Sequence, residues 1–300
     1  MNPKTLKRIV VILGVALLLW GLSGIIGGGR DAREAALMFP AVGPNGVDTV
    51  TIVRSRDTTR LLRNGDDWTV NGFKASNLVI KRLFNALKDS NEAELVSTSS
   101  LVHKRMQVDD SAGISVRLVS GGDELASLVF GKRGQQYNSS YVRMNGQDYV
   151  YLYLGTLTSL VRQTVDEWRD KTVVMVEPDS VGRIVARRGA RRYTLSKRGD
   201  EWLVGRVTAD SAAVRRLLGQ YDSLQANGFA TEQQADSLDF ARPVRTIALL
   251  GSGGDTLAHL VFDSTSSAFW VRKASGGTIY KILSWKADQL VPKDSTLRKK

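Results

Sequence analysis

The sequence predicts an α+β protein: an N-terminal transmembrane helix, then two tandem repeats, each an antiparallel β-meander, a helix, two hairpins and a short helix. Three observations carry this reading. An apolar run opens the chain, one long segment is stated twice, and alternating apolar residues broken by turn signals fill both copies. Residues 47–87 run against 181–221 without a gap, at an offset of 134. Val47, Gly65, Asp66, Trp68, Val70, Arg82 and Leu83 thereby meet Val181, Gly199, Asp200, Trp202, Val204, Arg216 and Leu217. Residues 125–130 meet 257–262, Tyr141-Val142-Arg143 meets Trp270-Val271-Arg272, and Val150-Tyr151 meets Ile279-Tyr280. Blocks in one order at nearly one spacing indicate a tandem duplication.

The elements follow in chain order. Residues 9–26 carry no charge and just reach the length that spans a bilayer as a helix. Lys4, Lys7 and Arg8 precede them, which places the N-terminus in the cytoplasm and the rest outside. A cleaved signal peptide is the competing reading; the run is longer than a usual h-region and no small-x-small site closes it, which favours an uncleaved signal-anchor. Residues 27–46 are a Gly- and Pro-broken linker. Strands are expected at 47–53, 58–63 and 68–70, matched by 193–195 and 202–204 in the second copy. Ile80, Leu83, Phe84 and Leu87 form a helical stripe that Val214, Leu217, Leu218 and Tyr221 repeat. Ser76 and Asp210 are the matching N-caps.

Two hairpins per repeat are expected next. The first pairs 114–119 with 125–130, and 244–250 with 257–262. The second pairs 141–144 with 149–152 around Asn145-Gly146, a tight-turn signal, and 269–272 with 278–282. Short apolar segments at 157–161 and 287–291 close the units. Short strand links make the pairing antiparallel. The expected organisation is a cytoplasmic tail 1–8, span 9–26, linker 27–46, first repeat 47–165, junction 166–180, second repeat 181–292 and basic tail 293–300.

Composition narrows the function. At 42% hydrophobic and 24% charged, the 300-residue chain is globular rather than disordered, and its length suits two domains. The absence of cysteine excludes disulfides, thiol nucleophiles and cysteine metal sites. The net charge of +12 is dispersed, apart from Arg187-Arg188, Arg191-Arg192 and the tail Arg298-Lys299-Lys300, and reads mainly as a solvated surface. Nucleic acid is not an expected partner, because charge alone is weak support and the domain is expected to be exported.

Each possible chemical motif has a structural counterpart. Gly121-Gly122-Asp123-Glu124 is similar to the diguanylate cyclase signature, but Leu125 replaces its aromatic and Gly253-Gly254-Asp255-Thr256 repeats the turn. His103 and His259 lack partners at catalytic or zinc spacing. Asp109 and Asp239 match across the copies and suit local turn hydrogen bonding better than acid–base work. Trp68 and Trp202 match as core residues rather than ligand-stacking aromatics. No catalytic, cofactor-binding or metal residue is assigned, and no cofactor is expected. The unshared features are the His103 loop, His259, residues 187–192 and the junction 168–171.

The junction segment Asp166-Glu167-Trp168-Arg169-Asp170-Lys171-Thr172-Val173-Val174, followed by Asp200-Glu201-Trp202, the capped helix and Leu238-Asp239 before Pro243, resembles the bacterial family catalogued as domain of unknown function 4340. Val108-Asp109 makes the first copy the more diverged. The resemblance implies an envelope protein, often encoded beside ABC-type transporter components of the gliding-motility auxiliary kind, and brings no catalytic residues. Arg169-Asp170-Lys171 reads as an ion-pair clamp between repeats, or else a partner contact. The expected function is a non-enzymatic accessory or scaffold protein of a transport assembly, with protein partners in the inner membrane. An envelope module for glycan, peptide or anionic lipid is the alternative and predicts a cleft between repeats lined by residues that differ between the copies. An envelope hydrolase ranks third.

Overall fold

The computed structural model describes residues 42–88, 92–265 and 268–299. The apolar run at 9–26 and most of the linker lie outside the described residues. Among the described residues no helix is long and apolar enough to cross a membrane. The chain divides into two compact units, 1–165 and 166–300.

The first unit is one nine-stranded antiparallel sheet. β1 (Thr49–Val53), β2 (Thr58–Asn64), β3 (Asp67–Val70) and β4 (Phe73–Lys74) meander outward to one edge. Helix α1 (Asn77–Lys88) leads to β5 (Glu92–Ser97) at the opposite edge, and the short α2 (His103–Met106) follows. β6 (Ile114–Ser120) then pairs with β1, and β7 (Asp123–Arg133), β8 (Ser139–Met144) and β9 (Val150–Leu154) run out to β5. The short α3 (Leu157–Leu160) packs near α1.

The second unit repeats the plan. β11 (Val181–Arg188), β12 (Arg191–Arg198), β13 (Glu201–Val204) and β14 (Val207–Thr208) meander outward. Helix α5 (Ser211–Asp222) crosses to β16 (Gly228–Phe229), and the short α6 (Glu232–Asp236) follows. β17 (Arg245–Gly251), β18 (Thr256–Ser264), β19 (Phe269–Lys273) and β20 (Gly276–Ile282) complete the sheet, and α7 (Ser284–Leu290) closes the unit. Before β11 come α4 (Val165–Trp168) and β10 (Thr172–Val174), which pairs with β15 (Leu224–Gln225) in a separate two-stranded sheet.

The α+β content agrees with expectation, and the pairing adds two features. The two expected hairpins of each unit join the first meander in one sheet through β1–β6 and β11–β17. Each sheet also gains an edge strand after its helix, β5 or β16, where none is expected. Asn145-Gly146 does not close a two-residue hairpin. The connection spans 145–149, with the Asn145 N–H donating to Ser127 O. Two-residue left-handed turns form instead at Gly121 (φ 60°) and Gly122 (φ 94°) between β6 and β7, and at Asn71 (φ 47°) and Gly72 (φ 84°) between β3 and β4; the Asn71 side chain holds the latter by accepting from Arg60 N and donating to Thr58 O.

One face of each sheet packs on its long helix. Alternation sends Val50, Ile52, Leu61, Trp68 and Val70 inward to meet Ile80, Leu83, Phe84 and Leu87 of α1. Trp68 and Phe84 lie 5.4 Å apart, centroid to centroid. In the second unit Ile184, Ala186, Leu195, Trp202 and Val204 meet Val214, Leu217, Leu218 and Tyr221. Asp210 caps α5, accepting from Ala212 N and Ala213 N, and these bonds lower its pKa. Ser76 directly precedes α1, and its carbonyl accepts from Ile80 N. On the opposite face of the first sheet, Met106 and Val108 cover Val129 and Val150. They approach so closely that a Cβ at Gly131 would collide with Met106 O and Val108.

The expected basic tail is built into the second unit. Leu297 is buried, Arg298 bridges Ala209, and Lys299 N donates to Thr208 O. The junction residues bind within this unit as well. Arg169 pairs with Asp166 at 3.1 Å and stacks on Phe229 at 3.5 Å, Asp170 accepts from Thr172 N, and Lys171 O accepts from Ala226 N.

Candidate functional site

The run at 187–192 forms the end of the β11–β12 hairpin. Gly189 (φ 58°) makes the turn, so Arg188 faces Arg191 and Arg187 faces Arg192. Directly opposed residues share a face, and like charges there repel. The structure relieves this differently on the two faces. Arg187 donates to Gly189 O and Pro243 O. Arg188 continues the inward stripe of Ile184 and Ala186, so the core face of the sheet ends in a cation.

Helix α7 supplies the counter-charge. Arg188 donates Nη2 to Asp288 Oδ1 at 2.8 Å and Nη1 to Val291 O at 3.0 Å. Arg245, at the start of β17 and 9% exposed, shares the same Asp288 oxygen at 2.8 Å and stacks on Phe269 at 4.5 Å. Its Nη1 has no hydrogen-bond partner among the described residues. Burial opposes the charge of Asp288, but hydrogen bonds and attraction from Arg245 and Arg188 outweigh it and lower the pKa. Burial raises the Tyr193 pKa, and its hydroxyl donates to Pro292 O at 2.7 Å. Beside these groups a cavity of about 250 Å³ is lined by Arg188, Arg191, Tyr193, Lys293 and Asp294. Among the described residues Arg191 and Lys293 form no ion pair. The pocket therefore presents excess positive charge at a size that suits a carboxylate-bearing side chain or another small anionic group.

The first unit holds the same frame without that charge. Arg54 matches Arg188 and likewise donates Nη1 to a closing carbonyl, Val161 O at 3.1 Å. Its other bonds reach Asp57 and Thr59, which stand where Arg191 and Tyr193 stand. Ile114 occupies the Arg245 place and Thr158 the Asp288 place.

The remaining candidates fall into structural places. Asp109 accepts from Ser111, whose hydroxyl is the main cause of its lowered pKa. Asp239 accepts from Ala241 N and Arg242 N. Trp68 and Trp202 are buried. Gly121 and Gly122 form the β6–β7 turn, and Glu124 pairs with Arg117 at 2.9 Å. His103 Nε2 meets Asp148 O at 2.9 Å, while His259 is exposed on β18. Among the described residues no three His, Asp or Glu side chains converge to hold a metal. Sequence reasoning missed Tyr193, Lys293 and Asp294 of the cavity lining and Arg245 and Asp288 beside it; comparing the copies position by position would have exposed Arg245 and Asp288.

Residues 68–243 match the family model described as domain of unknown function (DUF4340), which covers more than half of the chain. The chain belongs to this family. The match reaches from Trp68 of the first unit, across α4 and β10, to Pro243 beside Arg187, so the DUF4340 model takes in parts of both units and the arginine run. No curated protein matches the chain.

Proposed function

We propose that this DUF4340 chain is a non-enzymatic accessory or scaffold protein of an envelope transport assembly, tethered in the bacterial inner membrane by residues 9–26 with both units outside the cytoplasm. The observation that carries the reading is the unequal chemistry of two matched frames. The second unit presents Arg188, Arg191 and Lys293 around a pocket, while the first has Arg54 and Asp57 closed on each other. A protein carboxylate docking at the pocket would complement the surplus charge. The uncharged 9–26 run supports the tether, and the family resemblance supports partnership with ABC-type components. The same pocket favours a second reading, an envelope ligand-binding module for an anionic glycan, peptide or lipid. A hydrolase draws less support, since His103 and His259 lie in different units.

Crosslinking in the native membrane tests the proposal. The unaltered chain is expected to capture transporter subunits, and Arg191→Glu, at an exposed residue, to lose them. Capture unchanged by Arg191→Glu, or no captured subunit at all, would overturn it; a captured small anionic molecule would favour the ligand-binding reading.

A further inference from the structure

Gly182 lies at the other end of β11 from Arg188, roughly 20 Å away at strand spacing. In the first unit its place belongs to Asp48, beside the first strand, and the Asp48 carboxylate accepts the Gly121 N–H of the β6–β7 turn at 2.6 Å. Ser252 follows β17 as Gly121 follows β6, and the juxtaposition survives: a Cβ on Gly182 would lie 3.0 Å from Ser252 N. The carboxylate does not. Around the vacated place a cavity of about 520 Å³ opens, lined by Arg183, Ser196, Lys197, Ser252 and the glycines of the adjoining turns. Relative to the first unit, Arg183 stands for Thr49, Ser196 for Leu62 and Ser252 for Gly121, while Lys197 keeps the positive charge of Arg63. One anion and the Thr49 hydroxyl are lost; one cation and the hydroxyls of Ser196 and Ser252 are gained. Asp255 lies against Gly251, but Asp123 holds the same place in the first unit, so it does not offset the change.

We propose that this cavity binds the phosphate group of a phosphate ester, which takes the position that the Asp48 carboxylate holds in the first unit. A phosphate monoester carries close to two negative charges and three acceptor oxygens. These match the two-unit charge change, the Ser252 amide and the Ser196 and Ser252 hydroxyls. The cavity exceeds the phosphate itself and leaves room for the group that bears it. This site is separate from the Arg188 pocket and does not depend on the role proposed for it.

Binding to the full chain in a zwitterionic detergent tests the site. Inorganic phosphate and glycerol 3-phosphate serve as soluble probes in equilibrium dialysis, and phosphatidic acid in micelles of that detergent, with phosphatidylcholine as the control lipid, serves as the lipid probe, read by co-elution with the chain. Saturable binding is expected, weakened by about tenfold or more in Arg183→Thr, and unchanged in Lys81→Thr on α1. Gly182→Asp is expected to abolish binding by restoring the internal carboxylate. Because its Cβ crowds Ser252, Arg183→Thr, at an exposed residue, is the deciding variant. Binding of glycerol 3-phosphate in solution assigns a soluble ester; binding only of phosphatidic acid in micelles assigns a lipid headgroup. Absence of saturable binding by every probe, or equal affinity in Arg183→Thr, overturns the proposal.

Discussion

Arg143 on β8 and Arg272 on β19 occupy matched places in the two sheets, yet they end on different chemistry. Arg143 is buried, donates Nε to Val108 O at 2.5 Å and Nη2 to Asp110 at 2.6 Å. Arg272 stacks on Phe240, which stands where Asp110 stands, at 4.6 Å. Asp48 and Gly182, and Thr158 and Asp288, differ in the same manner. The buried positions facing the long helices stayed apolar, although their sizes changed (Ile52 and Ala186, Leu87 and Tyr221), while positions at strand ends changed polarity. A buried charge without a partner is costly, whereas a strand end exposed to water admits new charge at low cost. The divergence therefore marks where one copy was free to take on new chemistry.

Equal truncations test the shared part of this comparison. Leu61→Ala and Leu195→Ala remove matched, fully buried side chains and should each destabilise the protein by about 2–5 kcal/mol in urea unfolding. A cost below about 1 kcal/mol for either would break the equivalence of the two cores. The arginines test the divergent part. Arg143→Met strips Val108 O of its donor and should cost roughly 1–3 kcal/mol. Arg272→Met should cost less, roughly 0.5–1 kcal/mol for the lost stacking. Equal losses would mean that the difference in partners has no energetic weight.

Acid sharpens the contrast. The folded-state pKa of Asp288 is lowered from 3.8, so its stabilisation is present above that value and is lost as pH falls through the lower folded value. Thr158 has no such titration. Hydrogen-exchange protection in β11 and β17, taken relative to the intrinsic exchange rate at each pH, should fall in acid, and Asp288→Asn should remove that component; the same pH dependence of protection in the variant would count against it. The cap of α5 gives a further, local test. Asp210→Ala frees Ala212 N and Ala213 N and should lower Tm by roughly 2–4 °C, with Asp210→Asn restoring most of it.

The long helices, the first meander and the buried tryptophans were legible because their signals are local: a cap, a stripe at helical spacing, alternation beside a turn. The offset of 134 then doubled each signal. Strand β5 was not legible. Its sequence Glu92–Ser97 has only Leu95 and Val96 as large apolar residues and forms a strand because Tyr151 and Tyr153 of β9 offer it an edge. β16 is too short for any alternation to show. The joining of the hairpins into one sheet rests on β1–β6 pairing, which no window of neighbouring residues encodes. The candidate pocket was half legible. The arginine run stood out as unshared, but Arg245 and Asp288 reach it from β17 and α7, and only the fold brings them together.

The order β4-β3-β2-β1-β6-β7-β8-β9-β5 has a consequence for how the chain is made. Synthesis delivers β5 before the four strands that separate it from β1, and its one partner, β9, emerges last. Until then β5 carries unpaired amides and carbonyls that any other edge can capture. Sheets closed by distant pairings fold in roughly milliseconds to seconds, slowly enough for such capture to compete. The second unit repeats the hazard with β16, but there the waiting strand is cut to two residues, Gly228 and Phe229. Nascent-chain misfolding should therefore concentrate in the first unit, at the interval between the emergence of Glu92 and that of Leu154.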